Sequence, residues 1–312
     1  MKSFTSDQVQ LGFIGVGAMG SRLVQRLRGH GYEVTVYDLD RSKAVALVDY
    51  GAWVADSLVE LAEKADVILS CLTNDYAVRD VYLGCEGILS SATPGKVVLE
   101  MSTVSPATSR ELYVKGANNS VNVMDVAISG STPAVEKGTI VLLAGGSTDV
   151  FEASQPIFQA LASHWFLMGP AGSGASMKLV VNAILGIEMQ AIAEAIALGE
   201  AEGLDRKRLL DVLSQTAVIA PAHAGKLTRA EHDDYSPQFP VGLMNKDYRL
   251  MLEAASAANI NLPTTAAAFQ VNSAAYKEDP TADFSSVIRQ MEKLVEQTVS
   301  GVDSLPRSSL LG

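Results

Sequence analysis

Val9-Gln10-Leu11-Gly12-Phe13-Ile14-Gly15-Val16-Gly17-Ala18-Met19-Gly20 is the stretch on which the reading of this chain turns. Val9 to Ile14 reads as a buried strand, and it runs directly into a G-x-G-x-x-G turn. A helical pattern follows, with Met19, Leu23, Val24 and Leu27 on one face. A second strand, Glu33 to Tyr37, ends at Asp38, 18 residues after Gly20. A lone G-x-G-x-x-G is a weak signal. The order strand, glycine turn, helix, strand, acid is the setting in which it predicts a dinucleotide site. In that setting Gly15 permits the tight turn, Gly17 lets backbone approach a pyrophosphate, and Gly20 lets the helix sit close on the strand. Ala18 and Met19 open the helix, whose N-terminus presents free N–H groups and a positive dipole end to phosphate. A carboxylate at Asp38 suits the two hydroxyls of an adenosine ribose.

Outward from this motif the chain alternates strand and helix. Val67–Leu72 and Val97–Met101 are continuous apolar runs, as expected of parallel strands covered on both faces. Further strands are predicted over 122–126, 139–143 and 165–168, with helices over 58–64, 76–83, 106–115 and 150–161. This predicts an α/β fold, a Rossmann-type doubly wound parallel sheet. After Gly169-Pro170-Ala171-Gly172 the pattern becomes helical, giving an all-α C-terminal domain. One alanine-rich helix is expected from about 174 to 202, others over 205–215, 245–258, 264–276 and 284–299, with Pro221, Pro237, Pro240 and Pro263 as punctuation. The predicted domains are 9–170 for NAD(P) binding and 171–300 for substrate and oligomerisation, with a disordered tail at 301–312.

Bulk properties exclude several classes. A chain of 312 residues that is 48% hydrophobic and 19% charged has room for two ordered cores. With 24 basic against 35 acidic residues, its formal charge of −11 argues against nucleic acid or an anionic membrane as partner. An anionic substrate needs a local basic pocket. Cys71 and Cys85 give no disulfide framework, and the four histidines form no zinc-ligand spacing, so no metal is expected. The first residues hold no apolar signal core, and the cytoplasm is the expected compartment. The apolar run 177–198 is interrupted by Lys178, Asn182, Glu188 and Glu194 and reads as a buried helix rather than a membrane span.

Gly174, Lys178 and Asn182 recur every four residues and share one helical stripe. Glycine there lets another backbone or a ligand come close. Lysine and asparagine flanked by Met177, Leu179, Val180 and Val181 are costly unless satisfied. Burial favours the neutral amine, which suits a lysine to proton transfer near neutral pH; the alternative is a lysine that snorkels to solvent.

The opening glycine motif, the segment Asp125–Gly130, the G-x-x-x-K-x-x-x-N stripe and the later Lys246-Asp247 pair occur in an order that resembles the β-hydroxyacid dehydrogenase family. The resemblance spans residues 11–296. The glyoxylate/succinic semialdehyde reductase branch is the most similar, in Ser129-Gly130-Ser131 with Pro133-Ala134-Val135-Glu136, in Leu209–Leu213 and in Tyr235–Pro240. The resemblance implies an NAD(P)-dependent oxidoreductase acting on a small hydroxy acid or aldehyde acid, assembled as a homodimer or homotetramer. It implies that Lys178 is the general acid/base and that Asn182 orients it and holds substrate. It places Ser129, Gly130, Ser131, Gly174 and Lys246 on the substrate. Leu72, Thr73, Thr103, Phe239, Lys246 and Asp247 join Gly15, Gly17, Ala18, Met19, Gly20 and Asp38 around the cofactor, with Asp247 at the start of its helix.

Three departures bear on specificity. The family's D-x-P-V-S-G-G is Asp125-Val126-Ala127-Ile128-Ser129-Gly130-Ser131 here, and the missing proline is expected to loosen that loop. Thr73 replaces a frequent proline. Asp38 stands where the reductase branch uses an Asn-Arg pair for NADPH, so NAD is the expected cofactor, with NADP second and Arg41 as its one supporter. The rival readings are an imine reductase and a non-catalytic dinucleotide-binding scaffold. Both classes usually lack a lysine at the position of Lys178. 6-Phosphogluconate dehydrogenase shares the motifs but is much longer. A short-chain dehydrogenase is excluded because none of the nine tyrosines has a lysine four residues on.

Overall fold

In a computed structural model, which describes residues 1–303, eight strands form one sheet. They are β1 (Gln10–Ile14), β2 (Glu33–Tyr37), β3 (Trp53–Val54), β4 (Val67–Ser70), β5 (Val97–Glu100), β6 (Asn122–Ser129), β7 (Ile140–Gly145) and β8 (Ala162–Leu167). The spatial order is β3-β2-β1-β4-β5-β6-β7-β8. The chain therefore reverses direction across the sheet between β1 and β4, and ligands of doubly wound folds bind outside the strand ends at that point. Every pairing is parallel except β6 with β7, where Ser129 lies opposite Val141. The all-parallel expectation fails there because Thr132–Lys137 is a single short helix, too brief to carry the chain back for a parallel crossover.

Both faces of the sheet are covered. Alternation sends Leu69, Leu99 and Val126 into one apolar layer and Ile68, Val98 and Val123 into the other. The chain divides into two compact units, 1–181 and 182 onward, a division that falls inside the long helix Ser173–Ala201. The start of that helix packs on the strand unit, with Gly174 against Leu143.

The second unit is helical, as expected. Three details differ. Pro221–Ala230 is a helix, with proline in its first turn, where its missing N–H costs nothing. Pro240 likewise precedes the helix Val241–Ala257, which begins four residues ahead of the predicted start. Asp247 therefore stands in the second turn, not at the beginning. In the first unit, the helix expected over 150–161 breaks at Ser154 into Thr148–Ala153 and Gln155–Leu161. Of the tail predicted disordered, residues 301–303 close the last helix, and 304–312 lie outside the described residues.

Candidate functional site

The glycine turn has the geometry its spacing implied. Gly15 has φ +83°, and a Cβ there would sit 2.5 Å from the Cys71 carbonyl oxygen. A Cβ on Gly20 would collide with the Gly15 carbonyl. A Cβ on Gly17 would meet nothing within 4 Å. The first and third glycines thus face protein and the second faces open space, which fits a backbone approached by a pyrophosphate. The helix Ala18–Gly29 that follows has no side-chain cap and no acid in its first turn, so its N–H groups keep their affinity for an anion. Asp38 reaches back to this turn. One carboxylate oxygen accepts the Val16 amide at 2.9 Å and the other accepts the Asp40 amide at 2.9 Å. Arg41 is turned onto Asp56, 2.6 Å from its carboxylate.

The register brings Ile14 opposite Tyr37 and Ser70, and Ser70 opposite Glu100. Asp38, Leu72, Thr73 and Thr103 therefore follow neighbouring strand ends along one edge of the sheet. Sequence reasoning missed what ties these loops together. The Leu72 amide donates to Ser102 Oγ at 2.7 Å, and the Ser102 amide donates to Glu100 Oε1 at 2.8 Å. The Asp75 carboxylate accepts the Ser105 amide at 3.0 Å and the Ser105 and Thr108 hydroxyls. A charged residue inside the apolar run Val97–Met101 was the available signal for Glu100.

Glu100 is 2% exposed, and burial pushes its carboxyl up to about 7. Asp125, opposite it in β6, is also raised by burial. A carboxyl whose folded pKa exceeds its unfolded value stabilises the fold at low pH and loses that contribution as pH rises through the folded value. Wild-type unfolding free energy should thus fall between about pH 5 and 8, by on the order of 3 kcal/mol for Glu100. Glu100→Gln should flatten that dependence; denaturant titrations at the two pH values check it, and an unchanged slope would contradict the assignment.

Ser129 is half-buried at the end of β6, and Gly130, with φ +149°, is exposed beyond it beside exposed Ser131. The expected loosening without proline does not occur. Ala127 lies within a continuous strand and pairs with Leu143 of β7. Gly174 packs on backbone: a Cβ would strike the Leu143 carbonyl. Of the two approaches its spacing left open, that of another backbone is seen here. Lys178 follows one turn later and is 9% exposed.

In the second unit, Asn182 is buried and its Nδ2 donates to Asp247 Oδ2 at 2.6 Å. The bond fixes the amide orientation and leaves Asn182 Oδ1 as its acceptor. Lys246 Nζ lies 3.2 Å from the other Asp247 oxygen. Phe239 is half-buried and packs edge-on against Phe284, with ring centroids 5.6 Å apart. The structure thus brings Asn182, Lys246 and Asp247 together, and places Phe239 in an aromatic cluster of the same unit.

Residues 10–169 match the family model of the NAD binding domain of 6-phosphogluconate dehydrogenase, and 172–291 match that of the NAD-binding region of NADP-dependent 3-hydroxyisobutyrate dehydrogenase. The chain is 31% identical to 2-(hydroxymethyl)glutarate dehydrogenase of Eubacterium barkeri, over 94% of this chain and 98% of that protein. It is 32% identical to glyoxylate/succinic semialdehyde reductase 1 of Arabidopsis thaliana, over 91% and 99%. Among solved structures, Mycobacterium tuberculosis 3-hydroxyisobutyrate dehydrogenase with L-serine superimposes with a TM-score of 0.82 at 26% identity, covering 91% of this chain and 99% of that one. With two family models covering both halves of the chain and full-length relatives above 30% identity, the chain belongs to the β-hydroxyacid dehydrogenase family of NAD(P)-dependent oxidoreductases acting on CH–OH groups.

Proposed function

We propose that this protein is an NAD-preferring dehydrogenase that interconverts a short hydroxy acid and its aldehyde acid, with Lys178 as the proton donor and acceptor. The observation that carries the reading is Lys178 itself: a lysine 9% exposed, in the second turn of a helix that starts against the strand edge. A bound nicotinamide supplies the hydride. The chain's own part is the proton. In reduction Lys178 gives a proton to the carbonyl oxygen, and in oxidation it takes the hydroxyl proton back. Asn182 stands one turn further along the same helix, held by Asp247.

Support for NAD comes from the end of β2. Asp38 joins the glycine turn through the Val16 amide and accepts the Asp40 amide, so a 2′-phosphate at this place would meet two carboxylates. The relatives named above act on glyoxylate, succinic semialdehyde or 2-(hydroxymethyl)glutarate, all small carboxylates, so the substrate here is a small anionic aldehyde or hydroxy acid. Ser129 and the Gly130 amide are the donors for its carboxylate, since a hydroxyl and an N–H group suit an anion. Ser131, where the family has glycine, adds a hydroxyl beside them and makes this loop the place where substrates are told apart.

Ser129→Ala should raise KM for the carboxylate substrate about tenfold, the lower end for a hydrogen bond to a charged group, with a smaller effect on kcat. Steady-state kinetics on one aldehyde acid check this. An unchanged KM would move the carboxylate to another donor, with Lys246 the next to substitute.

A further inference from the structure

Asp125 is 4% exposed and lies in β6, four residues before Ser129. Its Oδ1 accepts the Gly172 amide at 2.7 Å, and its Oδ2 accepts the Ala175 amide at 2.8 Å. These donors belong to the start of the long helix, where the first N–H groups have no partner within the helix. The helix has no acidic residue of its own in the first turn. Asp125 therefore serves as an anionic cap supplied from a strand about fifty residues upstream in sequence. Two glycines make room for it. A Cβ on Gly145 would lie 2.8 Å from Oδ2, and one on Gly174 would lie 2.9 Å from it.

We propose that Asp125 is a positioning residue for Lys178: one buried carboxylate locks the helix that carries the lysine to the strand that carries Ser129. Lys178 is three residues beyond Ala175, less than one helical turn. A one-residue slip at the helix start would swing the lysine by about 100° and move it about 1.5 Å along the axis. On the strand side, Asp125, Ala127 and Ser129 point to the same face of β6. The carboxylate thus sets the register between the proton donor and the substrate's anion site. The inference rests on the roles proposed for Lys178 and Ser129.

The test is Asp125→Asn, alone and combined with Lys178→Ala. Asparagine replaces one of two acceptors with a donor facing a backbone N–H. The expected result is a kcat lowered about a hundredfold, as for a misplacement of about 1 Å, with NADH still bound one per chain at wild-type affinity. A merely structural role would instead reduce the fraction of chains that bind NADH and leave kcat per bound site unchanged, which would overturn the proposal. In the double variant, turnover should equal that of Lys178→Ala alone, because the aspartate acts through the lysine. Multiplication of the two losses would also overturn it. Turnover that survives Lys178→Ala would defeat the proposed function itself, and the inference with it, whatever Asp125→Asn does. Should Asp125→Asn not fold, Asp125→Ser removes the carboxylate with a smaller side chain that needs no extra room beside Gly145 and Gly174. It should lower kcat at intact NADH binding; wild-type kcat in that variant would overturn the proposal.

Discussion

Replacing Lys178 with alanine is expected to lower kcat by about a hundred- to ten-thousand-fold, the range for a positioned general acid. NADH binding should survive. The groups proposed to hold the dinucleotide are ones that the substitution does not touch: the open backbone at Gly17, the uncapped helix Ala18–Gly29 and the Asp38 carboxylate. The helix start should survive as well, since its anchors are Gly174 on Leu143 and the Gly172 and Ala175 amides on Asp125. Fluorescence titration of NADH and steady-state turnover, measured on the same preparation, separate the two effects. A variant that keeps more than about a tenth of wild-type kcat would remove Lys178 from the chemistry.

Asp38 is expected to make NADH the better cofactor by about tenfold to a hundredfold in kcat/KM. A 2′-phosphate brought to the end of β2 meets Asp38 and Asp40, at roughly 1–4 kcal/mol per close charge pair in high to intermediate dielectric. Arg41 is the residue that could offset this, and it sits 2.6 Å from Asp56 with both side chains largely exposed. Such a pair is weak, on the order of 1 kcal/mol or less, so Asp56 alone does not hold the arginine against a phosphate. The preference must therefore come from the carboxylates. Asp38→Asn should erode it by improving use of NADPH. Equal or better wild-type efficiency with NADPH, on one aldehyde substrate, would show that Asp38 does not read the ribose.

The first unit was largely legible because its signals are local. Gly15 takes a positive φ and Gly20 must sit bare against the Gly15 carbonyl, demands that lie within a few residues, and Glu33–Tyr37 is bounded by turn residues on both sides. What escaped reading depended on pairing across distance. β6 runs on to Ser129 because β7 returns antiparallel beside it, and nothing within 122–131 announces that partner. Asn182 meets Asp247 across 65 residues, so spacing could place the asparagine on a stripe but not name what fixes its amide. Glu100 and Asp125 sit in runs whose apolar neighbours mark strands, and the acids became informative only when register set them opposite each other. Pro221 and Pro240, expected as punctuation between helices, each stand at a helix start, where a fixed φ and a missing N–H are no handicap.

The central claim is that this chain reduces an aldehyde acid with a nicotinamide cofactor and a lysine proton donor. Its most direct test is NADH oxidation by the purified protein across glyoxylate, succinic semialdehyde, tartronate semialdehyde and methylmalonate semialdehyde, with a cyclic imine and an uncharged aldehyde as comparators. The account predicts turnover with at least one of the four aldehyde acids, abolished in Lys178→Ala, and little or none with the comparators. Reduction of the imine but of none of the aldehyde acids, or tight NADH binding with no turnover at all, would contradict it.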